Sequence, residues 1–142
     1  MNIRQGLDSS AFFNYIYLGL FMNNEFSTGC DIEQIDRFTK NIDNNIFLKK
    51  IFTQKEIEYC RSKPKPEEHF AVRFCAKEAV IKSLTEFDIT NIFYKDIEVI
   101  NEKSGHPIVR ILKQIDKNIK IKISLSHSRN NAIATAISYK NS

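Results

Sequence analysis

The pattern of apolar and polar positions divides the chain into one strand, a block of helices and a run of strands. Residues 26–32 have the composition of a first strand, and short helices are predicted over 33–38 and 46–51. The strongest helical signal extends from Glu67 to Leu84, because its apolar residues recur at helical spacing. These residues are Phe70, Phe74, Ile81 and Leu84, with Ala71, Cys75 and Ala79 beside them.

Local signals mark where the helices begin and end. Thr53-Gln54-Lys55-Glu56 has the form of a capping box, in which the Thr hydroxyl and the Glu carboxylate bond to free amides at a helix start. Pro64 and Pro66 are expected to end this helix and to begin the long one.

The C-terminal half alternates in the manner of strands. Strands are predicted at 96–100, 108–112, 119–125 and 131–138. The first two are separated by turn residues at 101–107, and the last two by 126–130, which we interpret as a hairpin connection. This order predicts an α+β protein with an antiparallel sheet packed against a long helix.

The first 25 residues form an N-terminal extension of unclear role before a single domain over 26–142. Their apolar run, Ala11 to Met22, is shorter than the roughly 20 residues that a membrane span needs. Three interpretations stay open: a signal peptide, a chain that truly starts at Met22, and an added helix that packs on the domain or a partner. We favour a protein that is neither secreted nor stably inserted in a membrane.

The composition favours one class of binding partner but does not identify the partner. The 142 residues carry a formal charge of +4, which favours an anionic partner such as nucleic acid, lipid, a phosphorylated ligand or an acidic protein. Cys30, Cys60 and Cys75 are widely spaced, so neither a zinc site nor a disulfide framework is indicated. Buried, reduced thiols in a cytoplasmic protein are the expectation.

Two acidic positions could carry chemistry. Asp31 follows Gly29 at the end of the first strand, where it either meets a ligand or caps the next helix. On the long helix, spacing places Arg73, Lys77 and Glu78 away from the apolar residues, with Lys82 one turn after Glu78. Glu78 could hold a hard cation while the three basic residues bind phosphate, or Glu78 and Lys82 could form an ordinary surface pair.

Two further segments are ambiguous on their own. Ser124-Leu125-Ser126-His127-Ser128 ends a strand, and its His could donate to a phosphate or simply be satisfied in a turn. Ser126 and His127 do not form a hydrolase pair, because adjacent strand residues point to opposite faces. Ser104-Gly105-His106-Pro107 has the composition of a turn.

Taken in order, these segments resemble the holo-acyl-carrier-protein synthases of the 4′-phosphopantetheinyl transferase superfamily, over roughly Gly29 to Ile137. The segments are Gly29-Cys30-Asp31-Ile32-Glu33 with Ile35 and Arg37, Phe52-Thr53 with Glu56 and Tyr59-Cys60, Arg73-Phe74-Cys75-Ala76-Lys77-Glu78-Ala79, Asp96-Ile97-Glu98-Val99, Ser104-Gly105-His106-Pro107 and Ser124-Leu125-Ser126-His127-Ser128. The combination of R-F-x-A-K-E-A with a later S-x-S-H is specific, whereas each half alone is weak.

The resemblance implies an enzyme with the fold of this superfamily that transfers phosphopantetheine from coenzyme A to a serine of apo-acyl carrier protein, leaving adenosine 3′,5′-bisphosphate. It implies a homotrimer with active sites between subunits, and no nucleic-acid partner. Asp31 and Glu78 would bind Mg²⁺ and act in catalysis with Lys82, and the serine proton would pass to Glu78 or to a water. Arg37 would contact the acidic carrier protein. The residues implied to bind coenzyme A are Arg73, Lys77, Lys82, Gly105, His106, Pro107, His127 and Ser128.

The chain departs from the family pattern at two places. His106 stands where the family has a Lys, and the segment after Lys82 lacks the usual glycine-bearing loop. Two alternatives therefore remain: a degenerate transferase that still binds carrier protein or coenzyme A, and a basic module that binds nucleic acid. The carrier protein, and whether it serves fatty-acid synthesis or another pathway, stay open.

Overall fold

The computed structural model describes residues 26–140. Its strands and helices follow the predicted order. They are β1 (Phe26–Gln34), α1 (Asp36–Asn41), α2 (Asn45–Ile51), α3 (Gln54–Arg61), α4 (Pro66–Thr85), a 3₁₀ turn (Tyr94–Asp96), β2 (Ile97–Asn101), β3 (Pro107–Ile111), β4 (Ile119–His127) and β5 (Asn131–Lys140). The expectations for residues 1–25, the apolar run included, lie outside the described residues. Between residues 26 and 140, no helix combines the length and the apolar character that crossing a membrane requires.

The strands form two antiparallel sheets rather than one. The larger sheet has the order β1-β5-β4, and β2 pairs with β3 alone. The predicted hairpin connection is confirmed, because Ser128 N donates to Asn131 O at 2.8 Å between β4 and β5. The α+β class and the antiparallel pairing are confirmed as well.

The predicted helix over 33–38 begins too early. Glu33 and Gln34 still belong to β1, where they pair with Ala132 and Asn131 of β5, and α1 starts at Asp36. These residues are part of the strand because their backbone groups pair with β5. The local sequence pattern does not reveal this partner, which is distant in the chain.

The two faces of the larger sheet have different character. Small buried residues of β5 face α4, and they allow the helix to approach the sheet closely. These are Ala132, Ala134, Ala136 and Ser138. The opposite face exposes Phe26, Ile32, Ile133 and Ile137, which are large apolar side chains.

The long helix α4 is buried almost all round. Besides its apolar residues, it buries Arg73 and Lys77, which are 2% and 0% exposed. Spacing places these two cations on a different side of the helix from its apolar residues, and the structure shows that this side is buried as well. A helix buried on every side belongs to the centre of a domain, with other elements packed around it.

The three cysteines are free thiols, as expected. Cys60 and Cys75 are buried, and burial raises the pKa of each to about 12, so both stay protonated at neutral pH. Cys30 differs from the expectation because it lies on the exposed face of β1.

Gly29 brings the backbone of β1 into direct contact with the backbone of α4. A Cβ atom at this position would lie 1.9 Å from the carbonyl oxygen of Ala79 and 2.9 Å from the amide nitrogen of Ser83. No side chain fits between the two elements at this point. The contact fixes the height of β1 along α4.

We predict that Gly29→Ala lowers the free energy of unfolding by about 3 kcal/mol, the upper end for overpacking, because the added methyl meets backbone that cannot rotate away. Denaturant unfolding measures this loss. Thr90→Ala, an exposed change in the loop after α4, is the control and should shift stability by less than about 0.5 kcal/mol. Equal stabilities for the two variants would contradict the close contact.

Candidate active site

Asp31 lies two residues after Gly29 and on the same, helix-facing side of β1. Its Oδ1 accepts a hydrogen bond from Lys82 Nζ at 2.8 Å, and Lys82 Nζ also donates to the carbonyl oxygen of Cys30 at 2.9 Å. The hydrogen bond to Asp31 raises the pKa of Lys82, so this amine is a cation at neutral pH. Asp31 does not cap α1, which has no side-chain cap. Asp31, and not Glu78, is the acid that pairs with Lys82.

Glu78 joins this site from the preceding turn of α4. Its negative charge adds to the effect of Asp31 on the pKa of Lys82, so the two acids act on the same amine. Its Oε1 also accepts a hydrogen bond from the hydroxyl of Tyr94. Burial, together with the Glu78 carboxylate, raises the pKa of Tyr94 to about 12, and the phenol therefore keeps its proton at neutral pH.

The donor set suits a magnesium ion shared with a phosphate ligand. Among the described residues, no group of three or more His, Cys, Asp or Glu side chains converges as a complete metal cage. Mg²⁺ is commonly held by one or two carboxylates plus phosphate oxygens and waters, so such a cage is not required. Asp31 and Glu78 offer two hard oxygen ligands of this kind.

Arg37 lies at the rim of the same site. It pairs with Glu33 on the helix-facing side of β1, and its guanidinium lies 4.8 Å from the ring centre of Phe74. The ring centres of Phe74 and Tyr94 are 5.5 Å apart, so Arg37 and Tyr94 contact the same phenylalanine ring. With a side chain that is 43% exposed, Arg37 can also meet a partner from solvent.

A second group of basic residues surrounds Arg73. Its Nη2 donates to Asn101 Oδ1 at 2.6 Å, and its guanidinium stacks 4.1 Å from the ring centre of Tyr59. Asn101 Nδ2 in turn donates to the carbonyl oxygen of Gly105, whose φ of 87° explains the glycine in this turn. The turn that carries His106 and Pro107 is thereby linked to Arg73.

His127 belongs to this second group and not to the first. With Tyr59, His69 and Arg73 it lines a cavity of about 140 Å³, and its Nε2 lies 4.0 Å from Glu68 Oε2. Ser128 follows in the turn, where its hydroxyl accepts a hydrogen bond from Asn131 N at 3.3 Å.

The two groups lie at different heights along α4. Glu68, which contacts His127, precedes Glu78 by roughly 15 Å along the helix axis. Within one described chain, Asp31 pairs with Lys82, one turn of α4 after Glu78, whereas His127 lies beside Glu68 at the other end of the helix.

Comparisons with known proteins show the family to which the chain belongs. Residues 27–137 match the family model of the 4′-phosphopantetheinyl transferase superfamily. The chain belongs to this superfamily, and within it to the holo-acyl-carrier-protein synthases. It is 42% identical to the holo-[acyl-carrier-protein] synthase of Chlorobium phaeovibrioides, over 77% of this chain and 90% of the relative. The synthase of Clostridium tetani is 44% identical, over 77% and 91%.

A solved structure shares the fold. The holo-(acyl-carrier-protein) synthase of Bacillus anthracis, crystallised in complex with CoA (3′,5′-ADP), superposes with a TM-score of 0.67 at 27% identity. The match covers 81% of this chain and 96% of that one. The predicted transferase fold is thus confirmed.

Lys77 is expected from the synthase family to bind coenzyme A. In this structure its ammonium group already has partners within the same chain. Its Nζ forms an ion pair with Glu56 Oε2 at 2.8 Å and donates to the carbonyl oxygens of Tyr94 and Ile97. An ammonium group has three donors, and all three are used here. A direct phosphate contact by Lys77 would require this buried network to break, so the structure favours a structural role.

The sequence does not reveal the partners of several residues that complete these networks. Glu56 belongs to the predicted capping box, which is confirmed, and to a segment of the family resemblance, yet neither indicates that its Oε1 accepts a hydrogen bond from Val99 N at 2.9 Å. Asn101 belongs to the predicted turn at 101–107, and the sequence carries no prediction for Tyr94. Their only signal in the sequence is that they are polar residues next to a predicted strand. This position does not reveal which side chains they contact.

Replacing Lys77 and replacing Lys82 should lower the stability of this synthase by very different amounts. We predict that Lys77→Met lowers the free energy of unfolding by about 3–5 kcal/mol, because it leaves the buried Glu56 carboxylate without its cation. Lys82→Met removes an exposed pair and should cost about 0–1 kcal/mol. Urea unfolding followed by circular dichroism measures both. A Lys77→Met protein as stable as the unmodified chain would refute the structural role.

Proposed function

We propose that the chain transfers 4′-phosphopantetheine from coenzyme A to a serine of apo-acyl carrier protein, using Asp31, Glu78 and Lys82. One observation carries this proposal. The carboxylates of Asp31 and Glu78, which come from distant segments, both raise the pKa of the exposed Lys82 near the end of α4. The similar synthases named above support the same reaction.

Each residue has a chemical task in this reaction. Asp31 and Glu78 would hold Mg²⁺, and this ion would supply positive charge against the pyrophosphate. The serine oxygen forms a bond to the phosphorus next to the pantetheine arm, and the bond from that phosphorus to the oxygen of adenosine 3′,5′-bisphosphate breaks. Glu78 or a water beside it accepts the serine proton, and Lys82 stabilises the charge that collects on the phosphate oxygens.

Arg37 is the proposed contact for the carrier protein. It is partly exposed at the rim of the acidic pair, close to where the serine must enter. The net charge of +4 would steer an acidic carrier towards this chain. The use of coenzyme A and the free thiols fit a cytoplasmic enzyme.

A homotrimer would complete the site. Arg73, His127 and the turn at Gly105 form a basic group that one chain keeps apart from Asp31 and Glu78. A neighbouring copy could present this group to the acidic pair, so that coenzyme A lies between subunits. The exposed apolar face of the β1-β5-β4 sheet is the proposed contact between copies.

We predict that Ile137→Lys yields a folded monomer with at least about 100-fold less transfer activity, because a buried charge opposes packing of the apolar sheet face. Light scattering after size exclusion gives the mass, and a transfer assay gives the rate. Ile46→Lys changes an isoleucine that is 73% exposed on α2, away from this face, and should stay trimeric and active. A trimeric Ile137→Lys protein would argue against this interface.

We predict that Asp31→Asn and Glu78→Gln each reduce transfer by about 100-fold or more, because each removes a charged ligand worth several kcal/mol in the transition state. Incubation with apo-acyl carrier protein, coenzyme A and Mg²⁺, followed by mass spectrometry of the carrier, measures this. Asp116→Asn, on an exposed loop, is the control.

The outcomes of this assay separate the alternatives. A degenerate transferase would bind coenzyme A yet leave the mass of every carrier unchanged. A module that binds nucleic acid would keep or gain affinity for nucleic acid when Asp31 and Glu78 lose their charge, because fewer anions then oppose the phosphates.

A further inference from the structure

The Glu78 carboxylate has two oxygens in different environments. Oε1 accepts the hydrogen bond from the Tyr94 hydroxyl. Among the described residues, none donates a hydrogen bond to Oε2. The contact with Tyr94 therefore leaves one defined oxygen of Glu78 available to a ligand.

Tyr94 is held firmly enough to direct its hydroxyl. Lys77 Nζ donates to its carbonyl oxygen at 2.8 Å, and its ring packs against Phe74 with the ring centres 5.5 Å apart. The 3₁₀ turn is closed by Asp96, whose Oδ2 accepts from Phe93 N at 2.9 Å. Backbone and ring are thus both fixed, and rotation about the last bond suffices to aim the O–H.

The same contacts connect the buried core to the site. Glu56 pairs with Lys77, Lys77 binds the backbone of Tyr94, and Tyr94 binds Glu78. Each step is a hydrogen bond or an ion pair, and the first pair is fully buried. Because the chain of contacts begins in the core, the position of the Glu78 carboxylate depends on residues that no substrate touches.

We propose that Tyr94 is a positioning residue, whose hydroxyl holds Glu78 so that Oε2 faces the magnesium ion. This inference rests on the proposed function, in which Glu78 is a ligand of that ion. A carboxylate ligand with one oxygen already bound loses less rotational freedom when the metal arrives, so the metal binds more tightly.

The test is Tyr94→Phe, which removes the hydroxyl and keeps the ring against Phe74. Manganese is the probe of the magnesium site, and its dissociation constant is measured by electron paramagnetic resonance. We expect this constant to rise about 10- to 100-fold, the usual range for the loss of a contact that orients a ligand. The magnesium concentration for half-maximal transfer should rise in step, whereas kcat at saturating magnesium should stay within about twofold.

Two control variants separate the possible results. Tyr139→Phe removes a hydroxyl from the far end of β5 and should leave manganese binding unchanged. Glu78→Gln should weaken manganese binding with or without the Tyr94 hydroxyl. The double variant, Tyr94→Phe with Glu78→Gln, should bind manganese no more weakly than Glu78→Gln alone.

Manganese affinity within threefold of the unmodified chain, or tighter, in the Tyr94→Phe protein overturns the positioning role while the Glu78→Gln loss leaves the metal assignment intact. Unchanged binding in Glu78→Gln overturns both. A melting temperature of Tyr94→Phe close to that of the unmodified chain, with the metal affinity lowered, supports positioning and not a general loss of structure.

Discussion

The direct contact between the backbones of β1 and α4 at Gly29 is the constraint from which the site follows. Because no Cβ fits there, the strand lies closer to the helix than side-chain packing would allow. Asp31, two residues further along, is thereby brought within hydrogen-bond distance of Lys82. The alanines and Ser138 of β5 continue the same close packing beneath the helix. A rigid strand on a rigid helix then sets the relative positions of two acids that are far apart in the chain.

A buried polar network sets the other side of the site. The ion pair of Lys77 and Glu56 lies inside the core, where an unpaired charge would be strongly unfavourable. It is satisfied by backbone groups of the residue that caps α3, of β2 and of the 3₁₀ turn. The network ties the helix to segments that would otherwise touch it only through apolar contacts. Two neighbours on a single helix thus have different surroundings: Glu78 accepts a hydrogen bond from Tyr94 at the candidate site, and Lys77 is paired with Glu56 in the core.

The two groups of candidate residues lie on different parts of one chain. The acids with Lys82 and Arg37 form one group, and Arg73 with His127 and the turn at Gly105 forms the other. Coenzyme A carries a 5′-pyrophosphate and a separate 3′-phosphate on its ribose, and a site between copies would let each group meet a different phosphate. Assembly and catalysis would then depend on the same apolar sheet face.

The sequence by itself determined the class of fold, the strand and helix order, the capping box, and the acidic and basic residues of the candidate site, because these depend on local pattern and on motif order. Only the tertiary structure decided which partners those residues meet. It buried Lys77 on Glu56, paired Lys82 with Asp31, extended β1 through Glu33 and brought Tyr94 to Glu78. These contacts join segments distant in the chain, and spacing along one helix cannot distinguish a lysine that faces solvent from one that faces a buried acid.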